Sequence, residues 1–153
     1  MSSTSPSDAD GVRPASDRPA VLFICSKNGG KSPMAEGLMR QLAGHGVDVA
    51  SAGTKPGKAL NELSVAVLRE VDVDISAHVP QPVTPELLRA ADRVITLGSE
   101  ARVDPVDGVV VENWHTDEPS ERGIEGIDRM RLVRDDIAAR VRGLAAELGI
   151  NSV

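Results

Sequence analysis

The chain carries little sulfur and few aromatic side chains: one cysteine, one phenylalanine, one tryptophan and no tyrosine. A single cysteine excludes an intramolecular disulfide and any zinc site built from several cysteines. The scarcity of aromatic rings removes the platforms on which nucleic-acid bases stack, and a net charge of −6 has the wrong sign for a polyanionic partner. No apolar run approaches the roughly 18 residues that a membrane-spanning helix needs. We therefore expect a cytoplasmic protein that binds neither nucleic acid nor a membrane.

The composition also divides the chain into a tail and a domain. Residues 1–18 are rich in Ser, Asp, Pro and Arg and contain no apolar block, which excludes a secretory signal and predicts a disordered N-terminal tail. The remaining residues, 19–153, are enough for one domain with a buried core and too few for two.

Strand patterns alternate with helix patterns along the domain. The apolar run Ala20–Ile24 predicts a strand that is covered on both faces, and Ser32 with Pro33 predicts the N-cap and first residue of a helix that ends near Gly44. Further strands are predicted over 47–51, 92–97 and 109–111, a loop over 113–126, and helices over 60–71, 84–91 and 127–148. This order predicts an α/β fold, an open doubly wound four-stranded parallel sheet with helices on both faces. In such sheets ligands bind beyond the carboxyl ends of the strands.

The segment from Cys25 to Ser32 has the composition of an oxyanion cradle. Gly29 and Gly30 allow successive backbone N–H groups to turn inward, and Lys31 and the following helix N-terminus add positive charge. The same field favours the nucleophilic thiolate form of Cys25, to which Ser32 can donate a hydrogen bond. The alternatives are a buried structural cysteine beside a simple turn, or a nucleotide-binding loop; the latter would need Gly where Cys25 stands.

The remaining polar residues give weaker indications. Asp117 and Glu118 precede Pro119 in a loop that could supply a general acid, or could simply be solvated. The chain has only four lysines, at positions 27, 31, 55 and 58, and two of them lie within six residues of Cys25. Residues predicted to lie on the surface are His45, His78, His115, Arg129, Arg131 and Arg134, since the histidines show no metal-ligand spacing and the arginines alternate with apolar positions.

The segment Val21–Ser32 resembles the signature of the low-molecular-weight tyrosine phosphatase and arsenate reductase superfamily. Ser51–Thr54 is similar to its second recurrent segment, and Trp114–Pro119 to its acidic loop. The resemblance implies that Cys25, Lys31 and Ser32 are catalytic, that Asn28 holds the loop by hydrogen bonds to its backbone, and that Ser51 supports it. The implied substrate-binding residues are Ser26, Lys27, Asn28, Gly29, Gly30, Lys31 and Ser32.

The acidic loop matches the family pattern with an offset of one residue. The family's general acid is an Asp that directly precedes Pro, whereas here Asp117 keeps the residue type and Glu118 keeps the position. We assign the general acid to Asp117, with Glu118 as the alternative.

Two departures from the family pattern direct the functional interpretation. Lys31 replaces the phosphatase Arg, so a point charge stands where a planar fork would bind phosphoryl oxygens, and the second and third cysteines of thioredoxin-coupled arsenate reductases are missing. The chain thus resembles actinobacterial arsenate–mycothiol transferases. The resemblance implies an arsenate reductase for arsenic detoxification, with arsenate as substrate, mycothiol as co-substrate, a mycoredoxin-type reductase as partner, and no tightly bound cofactor or metal. The alternatives are a phosphomonoesterase with a phosphocysteine intermediate and a non-catalytic anion-binding module.

Overall fold

The computed structural model describes residues 18–150. The predicted tail therefore lies outside the described residues except for Arg18. The strands are β1 (Ala20–Cys25), β2 (Asp48–Gly53), β3 (Arg93–Leu97) and β4 (Val111–Trp114). The α-helices are α1 (Lys31–Ala43), α2 (Glu62–Arg69), α3 (Pro85–Ala90) and α4 (Gly126–Glu147), and two short 3-10 helices cover Gly44–Gly46 and Pro119–Arg122.

The four strands form one sheet in the order β2-β1-β3-β4, and every neighbouring pair is parallel. The prediction of a four-stranded parallel α/β sheet is thereby confirmed. β1 lies in the middle, and Cys25 at its end is in register with Gly53 at the end of β2. This register places the Cys25 loop at the carboxyl edge of the sheet, beside the loop that follows β2.

Side chains alternate across β1 and build a core on each face of the sheet. Val21 and Phe23 join the larger core, to which α1, α2 and α4 contribute. Leu22 and Ile24 join a smaller core that includes Leu88 of α3. Because both faces are covered, β1 is apolar throughout, as the sequence run predicts.

The structure corrects several predicted boundaries; among the smaller shifts, the second strand is Asp48–Gly53 rather than 47–51. The N-cap of α1 is Gly30, without a side-chain hydrogen bond, so Ser32 is not the cap; it is buried and bonded to Cys25. The fourth strand spans Val111–Trp114 rather than 109–111, because Val109 closes a turn through the hydrogen bond from its N–H to the Val106 carbonyl oxygen. The predicted loop over 113–126 therefore begins after Trp114, and it contains the 3-10 helix Pro119–Arg122. The helix predicted over 60–71 is shorter, Glu62–Arg69, since Asn61 caps it by accepting from the N–H of Ser64.

Two arginines of α4 that were predicted to face solvent instead join α4 to α2. Arg131 and Arg134 both reach the carboxylate of Glu70, at the end of α2, with closest contacts of 2.7 and 2.8 Å. Arg134 also donates to the carbonyl oxygen of Val67, and its side chain is only 11% exposed, so its prediction as a solvated residue was wrong. The two guanidinium groups, Arg131 first, lower the pKa of Glu70 from 4.5 to about 2.

Replacing Glu70 by Gln is expected to lower the melting temperature at neutral pH, where the carboxylate is ionised and paired. Because its pKa falls on folding, the stabilisation is complete above pH 4.5 and disappears as the pH falls through about 2. The difference in melting temperature between wild type and variant should therefore shrink over this interval, as calorimetry at a series of pH values would show. Glu100→Gln, on the exposed turn after β3, is the control. An equal difference at both ends of the interval would contradict this account.

Candidate active site

The Cys25 loop is held from outside by the chain segment 54–61. Four N–H groups of this segment donate to carbonyl oxygens of the loop, so those carbonyls point away from the space the loop encloses. The pairs are Thr54 to Cys25 (3.1 Å), Lys55 to Ser26 (2.8 Å), Gly57 to Lys27 (2.9 Å) and Asn61 to Gly29 (2.7 Å). Within residues 18–150, the N–H groups of Lys27, Gly29 and Gly30 donate to no protein acceptor. The loop therefore offers free N–H donors beside the thiol, as an oxyanion site requires.

The close approach of two loops requires glycine at position 53. A Cβ atom there would lie 2.8 Å from the carbonyl oxygen of Ser26 and 2.9 Å from the nitrogen of Asn28, both backbone atoms that cannot turn away. The recurrent Ser51–Thr54 segment thus has a steric role: it lets β2 end directly against the Cys25 loop.

The sulfur of Cys25 lies in a hydrogen-bonding environment and is largely buried. Its Sγ atom accepts from the N–H of Asn28 at 3.2 Å and lies 2.9 Å from the hydroxyl oxygen of Ser32. Both groups can donate to a thiolate, and both are fixed by the fold, since Asn28 belongs to the loop and Ser32 to the first turn of α1. This geometry stabilises negative charge on sulfur.

Asn28 organises the loop through its side chain, which is completely buried. Its Oδ1 accepts from the backbone N–H of Gln81 at 2.9 Å, which fixes the orientation of the amide. Nδ2 then donates to the hydroxyls of Ser32 (2.8 Å) and Ser51 (3.0 Å). The backbone of Asn28 is left-handed, with φ 54°, a conformation that Asn tolerates better than most residues. The resemblance implied hydrogen bonds from Asn28 to the loop backbone, whereas its side-chain partners come from α1, β2 and segment 78–81.

His78 and Glu36 complete this network. The Nε2 atom of His78 lies 2.9 Å from Oδ1 of Asn28, an acceptor, so Nε2 must carry a proton. Its Nδ1 atom faces Glu36 at 3.7 Å, and Glu36 also accepts from the Ser51 hydroxyl at 2.6 Å. Since the Ser51 proton goes to Glu36 and Asn28 donates to Ser32, the Ser32 hydroxyl is free to donate to sulfur. The prediction of His78 as a surface residue was wrong, because its side chain is only 16% exposed.

Lys31 forms an ion pair with Glu118 of the acidic loop, through Nζ and Oε1. Gly98, at the end of β3, lies beneath this pair: a Cβ atom there would stand 3.1 Å from the Lys31 ammonium nitrogen, and its φ of +86° also favours glycine. The acidic loop is therefore already folded over the Cys25 loop, and Glu118 is the acidic residue that contacts it.

Asp117 faces a different part of the protein. Its carboxylate receives two hydrogen bonds from Arg122, at 2.8 and 3.1 Å, and these lower the pKa of Asp117. Its backbone N–H donates to Asp136 of α4. Asp117 is thus ionised at neutral pH, and its contacts are with Arg122 and with α4 rather than with the Cys25 loop.

The structure brings together most of the residues selected from the sequence. Asn28 and Ser32 contact the sulfur, and Ser51 contacts the side chain of Asn28. Gly29, Gly30 and Lys31 lie on the loop, Ser26 is half-buried, Lys27 is exposed, and Asp117 is elsewhere. Sequence analysis missed Glu36, His78 and Gln81. Glu36 follows Ser32 by one helical turn, which was a usable signal. His78 and Gln81 lie in an irregular segment, where no periodicity shows which side chain points inward.

Comparison with known proteins agrees with this geometry. The model of the family described as low molecular weight phosphotyrosine protein phosphatase matches residues 20–152. The chain belongs to this family.

Several proteins similar to this chain are named arsenate reductases. Arsenate reductase 2 of Staphylococcus saprophyticus is 34% identical over 129 residues, which cover 82% of this chain and 95% of the relative. A thioredoxin-dependent arsenate reductase of Corynebacterium glutamicum superimposes with a TM-score of 0.74 at 34% identity, covering 94% of this chain and 67% of that one. A structure described as an arsenate reductase in the phosphate binding state has a TM-score of 0.71 at 27% identity, with coverages of 85% and 98%.

Residues 18–150 contain neither a metal-ligand cluster nor a membrane-spanning helix. No three His, Cys, Asp or Glu side chains in this range are grouped as metal ligands. None of the helices there combines the length and apolarity needed to cross a bilayer.

Replacing Ser32 by Ala is expected to slow alkylation of Cys25 by iodoacetamide at neutral pH by about tenfold, because the variant loses a hydrogen bond to the reacting anion. The rate is measured by mass spectrometry, which is direct here because the chain has one cysteine. Ser99→Ala, at an exposed serine after β3, is the matched control and should react like wild type. Equal rates in all three proteins would show that Ser32 does not stabilise the thiolate.

Proposed function

We propose that this protein is an arsenate reductase that forms an arsenic–sulfur adduct from arsenate and a low-molecular-weight thiol. The observation that carries the proposal is the Cys25 loop, whose N–H groups at Lys27, Gly29 and Gly30 donate to no protein acceptor within residues 18–150 and whose sulfur accepts a hydrogen bond from the N–H of Asn28. Free N–H donors beside a thiol and a lysine are groups suited to holding a tetrahedral oxyanion. The names of the relatives support arsenate as the oxyanion. Arsenate and phosphate share shape and charge, so the phosphate-binding state of a similar structure supports the same site.

The single cysteine supports the choice of a small thiol as reductant. Reduction of arsenate to arsenite takes two electrons, and a pair of thiols supplies them by forming a disulfide. Cys25 has no cysteine partner in the chain, so at least one further thiol must come from another molecule. We propose mycothiol for this role, with a mycoredoxin-type protein as the final reductant, which makes the enzyme a cytoplasmic transferase in arsenic detoxification.

The proposed reaction has two stages. In the first, the thiol sulfur bonds to arsenic and one As–O bond breaks; the leaving oxygen takes the thiol proton and one further proton and departs as water. Arsenic remains pentavalent. In the second, a redoxin thiolate attacks the adduct sulfur, a mixed disulfide forms, and the electron pair of the S–As bond stays on arsenic as arsenite. Within the first stage the Cys25 thiolate first displaces the departing oxygen from arsenic, and the sulfur of the small thiol then displaces Cys25, while the loop N–H groups hold the remaining oxygens.

Lys31 weakens the phosphatase alternative. Its single ammonium group gives a point charge, whereas a guanidinium fork would bind two phosphoryl oxygens at once. We propose that this charge suffices for the arsenic reaction, because the loop N–H groups donate hydrogen bonds to the arsenate oxygens that Lys31 does not contact.

The reductant is tested by coupled turnover. Purified enzyme with arsenate should consume NADPH when mycothiol, mycoredoxin and an NADPH-dependent disulfide reductase are present. The Cys25→Ser variant should show no such consumption. With thioredoxin and thioredoxin reductase as the only reductants, the rate should stay at background. Robust turnover with thioredoxin alone would refute the small-thiol proposal while leaving arsenate reduction standing.

Glu118 is the better placed general acid, although sequence analysis assigned Asp117. Glu118 reaches Lys31 at the loop, whereas Asp117 is held by Arg122. An oxyanion that binds in the loop competes with Glu118 for Lys31, which leaves the Glu118 carboxyl group beside the bound oxygens. Glu118 can then protonate the departing oxygen.

Replacing Glu118 by Gln should lower kcat for arsenate reduction by about 100-fold, the usual size of a general-acid contribution. Asp117→Asn is the matched variant and should lower kcat less than about threefold, since it only loosens the loop at Arg122. Steady-state kinetics over a pH series provides the measurement. A larger loss in Asp117→Asn than in Glu118→Gln would return the role to Asp117.

A further inference from the structure

A cationic cavity opens beside the Cys25 loop. Its volume is about 580 Å³, within the roughly 300–1,000 Å³ of small-molecule sites. Three of the chain's four lysines, Lys27, Lys55 and Lys58, line it, and none of its lining residues is acidic. The chain as a whole has a net charge of −6, so this cavity concentrates positive charge in an otherwise acidic protein.

One wall of the cavity is formed by the Cys25 loop. Gly29 and Gly30 form that wall, so no side chain separates a bound molecule from the loop backbone. The opposite wall is the segment 55–61, which is fastened to the loop by the backbone hydrogen bonds of Lys55, Gly57 and Asn61. The cavity is therefore a fixed part of the loop, and its lysines stand on both sides: Lys27 on the loop, Lys55 and Lys58 on the segment.

We propose that this cavity, called here the lysine cavity, binds the thiol co-substrate and favours its thiolate form. This inference rests on the proposed function. A second anion site for arsenate is a poorer explanation, because a tetrahedral oxyanion is much smaller than the cavity and already has N–H donors inside the loop. A thiol that must bring its sulfur to arsenic has to bind at the rim of that loop.

The charges explain why ammonium groups would line such a site. The attacking species is a thiolate, and nearby cations favour a thiolate over a thiol. No charge is required on the rest of the thiol, whose polar groups can accept hydrogen bonds from the lysines. A carboxylate-bearing thiol, such as glutathione, and an uncharged sugar thiol, such as mycothiol, would both satisfy this chemistry.

The test measures KM for the thiol and KM for arsenate separately in the full-length enzyme. Lys55→Gln/Lys58→Gln should raise KM for mycothiol about tenfold, since each lysine contributes roughly threefold at surface dielectric and moderate salt, whereas KM for arsenate should change less than about twofold. Lys55→Arg/Lys58→Arg keeps the charge and should keep KM for mycothiol within about threefold of wild type. Arg142→Gln, which removes a charge from the exposed face of α4, is the control for net charge.

Each outcome bears on the inference. An unchanged KM for mycothiol in the Gln double variant would overturn it, and so would a rise in KM for arsenate instead, which would assign the lysines to the oxyanion. A parallel measurement with glutathione distinguishes recognition of the thiolate from recognition of a carboxylate: a rise for glutathione alone would overturn thiolate binding. If wild type shows no thiol-dependent turnover at all, the proposed function itself fails before any variant is compared. Melting temperatures of all variants confirm that they are folded.

Discussion

The site depends on the buried side chain of Asn28. Its amide joins segments that are far apart in the sequence, because it donates to α1 and β2 and accepts from Gln81 and His78. These bonds hold its backbone in the left-handed conformation that turns the loop, and they leave the Ser32 hydroxyl pointing at sulfur. Without them the loop would have only its outer hydrogen bonds to segment 54–61, and the thiol would lose its donors.

The Lys31–Glu118 pair joins the acidic loop to the Cys25 loop. The Glu118 carboxylate occupies the ammonium group that an oxyanion in the loop would use, so an oxyanion that binds to Lys31 competes with Glu118. We propose that this competition leaves the Glu118 carboxyl group beside the oxygen that has to depart, so that one ion pair connects substrate binding to acid catalysis. Gly98 lies directly against the lysine, since a Cβ atom there would stand 3.1 Å from the Lys31 ammonium nitrogen.

The sequence predicts the parts of this protein that depend on local patterns. The apolar run of β1, the long periodicity of α4 and the dense Cys25–Ser32 motif each gave the correct element or loop, because strand burial, helix packing and anion binding impose a characteristic residue order. The failures arose from long-range contacts. His78 is buried by its hydrogen bond to Asn28, fifty residues away, and Arg134 by its contact with α2. Ser32 was predicted to be a helix cap because a serine that caps a helix and a serine that bonds to a thiol can both stand between a loop and a helix in the sequence.

One fold serves phosphatases and arsenate reductases because both must hold a tetrahedral oxyanion against a thiolate, and the difference lies in what reaches the loop afterwards. A phosphatase needs only water, so its loop can be narrowly enclosed. A reductase with one cysteine must admit a second thiol to the same oxyanion, which requires an opening beside the loop and a means of keeping that thiol anionic. In this chain the wall at this opening is formed by Gly29 and Gly30, and lysines line the cavity beyond it. We propose that the single cysteine and the clustered lysines answer one requirement, that the reductant comes from outside the chain.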